Sequence, residues 1–481
     1  MMKQLANCKP YTFFYWFEEI SKIPRPSYQE NQIIDFLECF AKERGFFYRR
    51  DAAGNLLIRV PGTADCANKP SVLLQAHVDM VCVKDPDVVF DFTKQPINLY
   101  VDGDMLRAKG TTLGADAGAG VAVMLALVDA DDIPHPPLEL LYTVQEEVGM
   151  VGIRKFDLST ISSRRMINLD AGDSHTMCIS SAGSVEMSVC RTFSCCDANE
   201  ESTISFRIAG GKGGHSGMDI HKNRICAGNL AGKIMSELQD ICPVRLSSVE
   251  TSQTPGTILN ACTVCICVPK NYAAAVELEL RRQFERYTQC RISCDPDIFL
   301  STTIFPSGRA ALSPADSLSV ISLLSLLDTG VQERSDCYAN GVLASSSMGP
   351  CVLENGKLTL SYQIRAMEED ALERVTQRYR KEAKENGFTL EETSSYPCWP
   401  ASKDSPFSAA LERVYRKLFG CDIATESIYG GIEAGVVKKG IPSMDIISIS
   451  PTATAAHTTG EKLHLNEVEP FWELLLALLR E

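Results

Sequence analysis

The feature that most constrains the fold of this chain is a set of short apolar runs, most of them followed by a segment with acidic or histidine side chains. Such runs cover residues 56–60, 71–76, 138–144, 166–169 and 444–449, and the last four precede polar clusters. Helical periodicity, as in residues 28–42, lies between them. Strands that alternate with helices indicate an α/β sheet flanked by helices. The carboxyl ends of its strands would bring the polar side chains to one edge.

This α/β pattern is interrupted and then resumes. From about Val185 the sequence changes to long amphipathic helices, such as residues 223–240 and 369–385, and to Thr/Ser-rich strand candidates, which are typical of an α+β domain. After Tyr396-Pro397 the first pattern returns. We therefore predict one domain formed by residues 1–184 and 400–481, with an α+β domain of residues 185–399 inserted into it.

Charge and apolar content restrict the partners. The 481 residues include 47 Lys and Arg against 61 Asp and Glu, a net charge of -14, so no basic surface for nucleic acid or an anionic membrane is expected. The longest apolar stretches fall short of the ~20 residues of a membrane span, and the first residues do not resemble a secretory signal. Nineteen scattered cysteines are typical of reduced, buried side chains. We predict a cytoplasmic protein.

The polar residues after the apolar runs are of the types that bind a borderline metal such as zinc. Imidazole nitrogen and carboxylate oxygen, without cysteine, suit this ion. Each short pattern is weak alone, since a strand-end His bonded to a nearby Asp is also common. The metal prediction therefore depends on all the clusters converging; their residues are His77, Asp79, Asp116, Glu146, Glu147, Asp170 and His457.

Two adjacent carboxylates in this set are expected to have different functions. Glu146 and Glu147 end an apolar run, and neighbouring side chains in extended backbone point to opposite sides. We predict that one carboxylate binds metal while the other moves protons.

Two further patterns give no site. GADAGAG looks like a phosphate-binding loop, but it carries an Asp and has no Lys. Cys262 and Cys265, with Cys290 and Cys294, approach a zinc-ribbon spacing. We interpret Cys262 and Cys265 as buried strand residues, because period 2 places them on opposite faces.

The ordered segments HVDM, GTTLGAD, QEEVGM, INLD and AAHTTGE resemble the metal-site segments of the aminoacylase/carnosinase superfamily of di-zinc metallopeptidases. IPRPSYQE, GGHSGMDIH and YPCWPASKDSP are similar to its aminoacyl-histidine dipeptidase (Xaa-His dipeptidase) branch, so the resemblance covers nearly the whole chain. It implies a zinc-aminopeptidase-like mixed sheet flanked by helices as the catalytic domain. It also implies that the inserted α+β domain is a lid, and that the protein is a homodimer.

The resemblance further implies two Zn²⁺ ions, with Mn²⁺ or Co²⁺ as substitutes. Asp116 would bridge the two ions. His77 and Asp170 would complete one site, and Glu147 and His457 the other.

Other roles carried over from the family concern proton transfer and substrate. Asp79 would orient the His77 imidazole and Glu146 would be the general base. The resemblance also implies a cis peptide after the bridging Asp.

Three residues of the inserted domain take substrate roles by the same resemblance. His215 would stabilise the oxyanion, Asn260 would touch substrate, and Arg365 would pair with a dipeptide carboxylate. A locally bonded turn histidine and a plain surface salt bridge are the alternatives for His215 and Arg365.

The leading hypothesis is a di-zinc dipeptidase that hydrolyses Xaa-His dipeptides, with beta-alanyl-histidine among the candidate substrates. A related metallohydrolase acting on other di- or tripeptides or on N-acyl amino acids is an alternative, because Ala117, Ala119 and Tyr429 depart from the residues usual in this branch. A non-catalytic peptide-binding protein on the same scaffold and a single structural zinc are alternatives of other classes. No role is assigned to Glu433, Tyr429 or His221.

Overall fold

The computed structural model describes residues 5, 8–130, 132–254, 256–291, 293–402 and 404–481. The chain divides into two units: unit 1 is Met1–Ser181 with Trp399–Glu481, and unit 2 is Ala182–Cys398. Each combines helices with sheets, so the predicted mixed α/β class is confirmed. Among the described helices, none is both long and apolar enough to cross a bilayer.

Helices fall mostly where the apolar periodicity predicts them. The helix expected over residues 28–42 begins later because Tyr28 has a left-handed φ of 69°. The α-helices are α1 (Tyr11–Ser21), α2 (Asn31–Glu43), α3 (Ala115–Asp129), α4 (Val151–Lys155), α5 (Ala227–Leu238), α6 (Ala273–Thr288), α7 (Pro314–Leu326), α8 (Glu369–Glu385), α9 (Pro406–Phe419), α10 (Glu433–Gly440) and α11 (Leu465–Leu479).

The strands of unit 1 lie on both sides of unit 2 in the sequence. Its strands are β1 (Phe47–Arg50), β2 (Leu56–Val60), β3 (Val72–His77), β4 (Leu99–Asp102), β5 (Met105–Ala108), β6 (Leu138–Thr143), β7 (Arg165–Asn168) and β8 (Thr176–Ser181). Unit 2 contains β9 (Gly183–Thr192), β10 (Cys195–Cys196), β11 (Glu201–Ala209), β12 (Arg245–Thr251), β13 (Cys262–Pro269), β14 (Phe299–Phe305), β15 (Ala311–Leu312), β16 (Gly330–Arg334), β17 (Val342–Glu354), β18 (Lys357–Ala366) and β19 (Glu391–Tyr396). Unit 1 resumes with β20 (Ala424–Ile428), β21 (Asp445–Ser448), β22 (Ala453–Thr454) and β23 (Lys462–His464).

The central sheet of unit 1 has eight strands in the order β1-β2-β6-β3-β7-β21-β8-β20. β6, β3, β7 and β21 are mutually parallel, whereas β1, β2 and β8 add antiparallel pairs. The side chains of β3 and β6 are buried throughout, as expected for parallel strands covered on both faces. Their carboxyl ends therefore share one edge of the sheet.

Helix α3 forms the centre of the unit 1 core. It is apolar on every side, and residues 117–128 are all buried. A Cβ on Gly120 would lie 2.5 Å from the carbonyl oxygen of Leu169 and 3.0 Å from the Cβ of Ala76. Glycine at this position lets α3 pack directly on β3 and the end of β7.

A second, smaller sheet of unit 1 has the order β22-β23-β5-β4. Each of its pairs is antiparallel. The loop between β22 and β23 contains His457, so this sheet anchors a loop that the sequence places after the last central strand.

Unit 2 is built around a nine-stranded antiparallel sheet in the order β14-β11-β13-β12-β17-β18-β9-β19, with β16 added beside β17. Its helices are α5, α6, α7 and α8. Cys262 and Cys265 lie buried in β13, as the sequence predicted. The sequence patterns do not predict the long strands β9 and β17.

Candidate metal centre

Three clusters of polar residues lie where the parallel strands β3, β6 and β7 of unit 1 reach their carboxyl ends. His77 is the last residue of β3 and stands opposite Thr143 at the end of β6. Asn168 ends β7 opposite Gln75 of β3. Parallel register therefore sets the segments after β3, β6 and β7 side by side, which the strand-end pattern of the sequence predicted.

Asp116 lies between two histidines, one on each side of its carboxylate. Its Oδ1 is 3.0 Å from Nε2 of His77, and its Oδ2 is 3.2 Å from Nε2 of His457. The peptide bond between Asp116 and Ala117 is cis, so that prediction is confirmed. Each oxygen of one carboxylate thus faces a different imidazole.

Two further carboxylates complete these groupings. Oδ1 of Asp170 is 3.4 Å from Nε2 of His77, and Oε1 of Glu147 is 3.1 Å from Nε2 of His457. Within each of the sets His77-Asp116-Asp170 and Asp116-Glu147-His457, the donor atoms lie within 4.8 Å of one another. Two groups of three possible ligands therefore share Asp116.

Glu146 and Glu147 do not occupy the extended backbone that the sequence suggested. β6 ends at Thr143, and Gln145 has a left-handed φ of 57°, so the chain turns before the pair. Both carboxylates lie within reach of His77, with donor atoms within 4.8 Å of one another. The prediction that the two side chains point to opposite sides of an extended strand is therefore wrong, because the strand ends before Glu146.

Asp79 contacts both His77 and the Glu146-Glu147 turn. Nδ1 of His77 is 3.0 Å from the main-chain oxygen of Asp79 but 3.6 Å from its Oδ1. The carboxylate instead accepts from Ser27 Oγ at 2.8 Å and from the main-chain N–H groups of Glu146 and Glu147 at 3.0 and 3.3 Å. The main chain of Asp79 therefore orients the imidazole, while its side chain holds the acidic turn.

The electrostatics of this cluster keep protons on both imidazoles. Burial opposes a charge on His77, but hydrogen bonds with Asp116 and Asp170 outweigh it and raise its pKa well above the usual value. Hydrogen bonds with Asp116 and Glu147 raise the pKa of His457 to about 10. Both rings therefore hold a proton more tightly than an ordinary imidazole does.

The pKa values of two carboxyl groups of the cluster are raised, whereas an ordinary ion pair lowers the pKa of its carboxyl group. Burial raises the pKa of Asp170 to about 6, and the negative charge of Asp116 adds to this. Burial also raises the pKa of Glu146 well above its usual value, with contributions from Asp170 and Glu147. Crowded, buried carboxylates that resist ionisation are stabilised by a bound cation.

The donor set fits a divalent metal ion. It offers imidazole nitrogen and carboxylate oxygen, the ligands that zinc prefers in catalytic sites, and the ligand-bearing Nε2 of His77 is opposite an Nδ1 held by a carbonyl. His457 is 53% exposed, which leaves the cluster open to solvent on that side. The predicted ligands His77, Asp116, Glu147, Asp170 and His457 are therefore brought together in one open cluster.

A buried polar network lies in the sheet beneath the cluster. Oε2 of Glu433 accepts hydrogen bonds from Gln75 Nε2 and, at 2.5 Å, from Thr143 Oγ1. Gln75 Oε1 accepts from Asn168 Nδ2 at 2.6 Å. Glu433 is fully buried, and burial raises its pKa to about 8. Gln75 and Asn168 each precede a candidate ligand by two residues, so they share its face of the sheet.

The three candidate substrate residues of unit 2 lie on connected segments. Nδ1 of His215 accepts from the N–H groups of Gly217 and Met218 at 3.0 and 2.9 Å, which places the proton of the neutral ring on Nε2. The main chain of the same loop bonds to residues 256–258, close to Asn260. Arg365 is bonded to Tyr396 Oη at 2.5 Å.

Gln363 links Arg365 to the His215 loop. Its Oε1 accepts from Arg365 Nη2 at 3.1 Å and from Ser216 Oγ at 3.0 Å. Arg365 is buried among these groups and is not a surface residue. A hydrogen-bonded region of unit 2 therefore includes His215 and Arg365.

Two buried charged residues of unit 1 lie within the recognised motifs, although the motifs themselves indicate no role for them. Arg25 lies in IPRPSYQE and Glu461 ends AAHTTGE. Both contact the main chain at the start of α3. In the sequence, Arg25 directly precedes Pro26 and Glu461 follows His457 by four residues. These positions are the signal by which the two residues could have been found.

The chain is similar in sequence to known peptidases. A model of peptidase family M20/M25/M40 matches residues 73–481. The chain is 31% identical over 486 residues to the cytosol non-specific dipeptidase of Escherichia coli (strain K12), covering 100% of this chain and 99% of the relative.

Solved structures are also similar. The crystal structure of aminoacylhistidine dipeptidase from Vibrio alginolyticus superposes with a TM-score of 0.88 and 29% identity, covering 99% of this chain and 97% of the other. An aminopeptidase structure from Bacillus cereus, at 16% identity and a TM-score of 0.55, covers 98% of both chains and shows the shared fold.

Proposed function

The chain belongs to peptidase family M20/M25/M40, and from this premise we propose that it is a dinuclear zinc dipeptidase that hydrolyses Xaa-His dipeptides. The observation that carries this proposal is the carboxylate of Asp116, whose two oxygens face His77 and His457 separately. Asp116 would bridge two ions, with Asp170 beside His77 and Glu147 beside His457. Mn²⁺ and Co²⁺ would be able to replace Zn²⁺ with these donors.

Glu146 would move the proton in this reaction. When bound, the two ions supply Lewis acidity and lower the pKa of water at the site towards neutrality. The Glu146 carboxylate takes a proton from the attacking water and delivers it to the leaving amine. The Asp79 carboxylate holds the turn that carries Glu146 by accepting a hydrogen bond from its main-chain N–H. Positive charge from the ions would oppose the raised pKa that burial gives Glu146.

Unit 2 would supply the groups that recognise the substrate. His215, with its proton on Nε2, is a suitable donor to a developing oxyanion. The Arg365 guanidinium suits a dipeptide carboxylate, and Asn260 would contact the substrate beside the His215 loop. These assignments follow the family resemblance, and the tautomer of His215 supports the first.

The names of two relatives indicate different side-chain preferences. The Vibrio relative is named an aminoacylhistidine dipeptidase and the Escherichia coli relative a non-specific dipeptidase. We propose preference for Xaa-His, including beta-alanyl-histidine, over other dipeptides. The second name supports broader dipeptide hydrolysis as the alternative.

A substrate panel distinguishes these two functions. The purified chain, chelated and then reloaded with Zn²⁺ or Mn²⁺, is offered Xaa-His dipeptides, dipeptides without histidine, tripeptides and N-acetyl amino acids, and the released amino acids are quantified. Metal-dependent release confined mainly to Xaa-His supports the proposal. Equal rates on dipeptides without histidine would support the non-specific alternative and contradict the histidine preference.

Replacing Glu146 separates an enzyme from a binding protein on the same scaffold. Glu146→Gln is expected to lower kcat by at least 10²-fold while two metal ions per chain remain by elemental analysis. Glu473→Gln, an exposed change on α11, is the matched control and should leave kcat unaltered. Unchanged turnover in Glu146→Gln would contradict the role of Glu146, and no turnover in the unaltered, metal-loaded chain would favour a binding protein.

We also propose a cytoplasmic location, a homodimer and the domain scheme of residues 1–184, 185–399 and 400–481. The Escherichia coli relative bears the name of a cytosol enzyme. Light scattering of the purified chain tests the dimer, since a mass near one chain of 52.8 kDa would contradict it.

A further inference from the structure

The main chain at the start of α3 donates hydrogen bonds to a buried carboxylate. Oε2 of Glu461 accepts from the N–H groups of Leu113 and Gly114 at 2.7 and 2.9 Å, and its Oε1 accepts from those of Ala115 and Asp116 at 2.8 and 3.3 Å. Glu461 is 2% exposed. Four consecutive donors thus point at one side chain, which fixes the turn that carries Asp116.

The carbonyl side of the same turn is held by a buried cation. Arg25, also 2% exposed, donates from Nη2 to the Gly114 oxygen at 2.6 Å and from Nη1 to the Val78 oxygen at 2.9 Å. Val78 follows His77 directly. One guanidinium therefore joins the segment after β3 to the segment before α3.

Two glycines, one in this turn and one in the first turn of α3, leave room for the guanidinium. A Cβ on Gly114 would lie 2.6 Å from Arg25 Nη2, and a Cβ on Gly118 would lie 2.5 Å from the same atom. Gly114 also has a left-handed φ of 72°. The close packing of Arg25 is thus a second feature of the same turn, independent of the contacts of Glu461.

Together these contacts connect both imidazoles to Asp116. Arg25 reaches the residue next to His77, and Glu461 lies four residues after His457 in the same loop. Because the two oxygens of Asp116 face the two imidazoles, a small rotation of this turn would change both groupings at once.

We propose that Arg25 and Glu461 are positioning residues that hold Asp116 in place to bind two metal ions. This inference rests on the proposed function, because it assumes that Asp116 bridges two ions. Neither side chain would touch an ion or the substrate. Their effect would pass through the main chain of residues 113–116.

Metal binding by the chelated protein tests the inference. Glu461→Gln keeps the side-chain size but replaces one accepting oxygen with a donor. Arg25→Lys keeps the charge but loses the planar guanidinium, whose two Nη atoms donate to different carbonyl groups. Each chelated variant is titrated with Co²⁺, with visible absorption reporting ligand geometry and calorimetry reporting affinity. We expect affinity about 10 to 100-fold weaker than in the unaltered chain, and an altered absorption spectrum.

Matched controls separate positioning from a purely structural role. Glu473→Gln and Arg413→Lys make the same chemical changes at exposed positions of unit 1 and should bind Co²⁺ as the unaltered chain does. Urea unfolding of the chelated variants measures their stability independently of metal. If Glu461→Gln does not fold, Arg25→Lys alone decides the test.

The outcomes are distinct. Folded Arg25→Lys or Glu461→Gln with normal Co²⁺ affinity and spectrum would overturn the positioning role, while metal uptake and dipeptide hydrolysis by the unaltered chain would leave the proposed function standing. An unaltered chain that takes up no divalent ion would overturn both.

Discussion

The buried carboxyl of Glu433 should make the stability of unit 1 depend on pH, and Glu433→Gln should remove that dependence. The folded chain binds the Glu433 proton with a pKa of about 8, against a usual value of 4.5. A raised pKa gives stability that is fully present below 4.5 and is lost as pH rises through 8. Between these values the folded chain holds a proton that the unfolded chain has released.

The size of the effect follows from this proton difference. One pKa unit corresponds to about 1.4 kcal/mol, so from pH 5.5 to 7.5 the Glu433 carboxyl should cost unit 1 about 2 to 3 kcal/mol of unfolding free energy. Gln cannot titrate. Oε1 of Glu433 has no hydrogen-bond partner among the described residues, so an amide nitrogen there would carry a penalty of its own. That penalty is the same at both pH values and cancels from the comparison.

Tryptophan fluorescence provides a selective assay. The three tryptophans, Trp16, Trp399 and Trp472, all belong to unit 1, so their emission reports the unfolding of that unit in urea. Chelated unaltered protein, Glu433→Gln and the exposed control Glu473→Gln are compared at pH 5.5 and 7.5. Parallel losses of stability in all three, within about 0.5 kcal/mol, would refute the assignment of a buried, protonated Glu433.

Two further predictions concern metal loading and packing. Hydrogen bonds to carboxylates raise the pKa of His77 and of His457, so zinc uptake at pH 7.5 should release protons and the apparent zinc affinity should fall as pH falls. Calorimetry in buffers of different ionisation enthalpy measures the proton release. A binding heat that does not depend on the buffer would contradict this prediction. Gly120→Ala should lower the unfolding free energy by about 1 to 3 kcal/mol, because the new Cβ would lie 2.5 Å from the Leu169 oxygen. Gly430→Ala is the control, since a Cβ there would lie 3.5 Å from its nearest neighbour. Equal melting temperatures of the two variants would contradict the close packing of α3.

Strong local patterns predicted much of this fold from the sequence. The strand over residues 56–60 and the helix over residues 369–385 match β2 and α8, where apolar period and length agree. The helix expected from residue 223 begins instead at Ala227, because Asn223 adopts a left-handed φ of 54°. Local backbone turns of this kind have weak sequence signals.

The candidate site was predictable as a set of residues but not as a set of contacts. Convergence of the strand-end clusters follows from the parallel order of β6, β3 and β7. The turn at Gln145 and the use of the Asp79 carboxylate to hold main-chain N–H groups depend on tertiary packing, which periodicity does not encode. The catalytic and ligand roles themselves stay predictions.

The order of strands in unit 1 also determines when its sheet can be completed during synthesis. β21 pairs with β7, and Ser448 bonds to Asn168, which lies 280 positions earlier in the chain. At roughly 5 to 20 residues per second, a ribosome needs about 14 to 56 seconds to bridge that gap. All of unit 2 is made within this interval. Throughout it, β7 remains the open edge of an unfinished apolar sheet, so a nascent chain is exposed to wrong strand pairing there until β21 has been made.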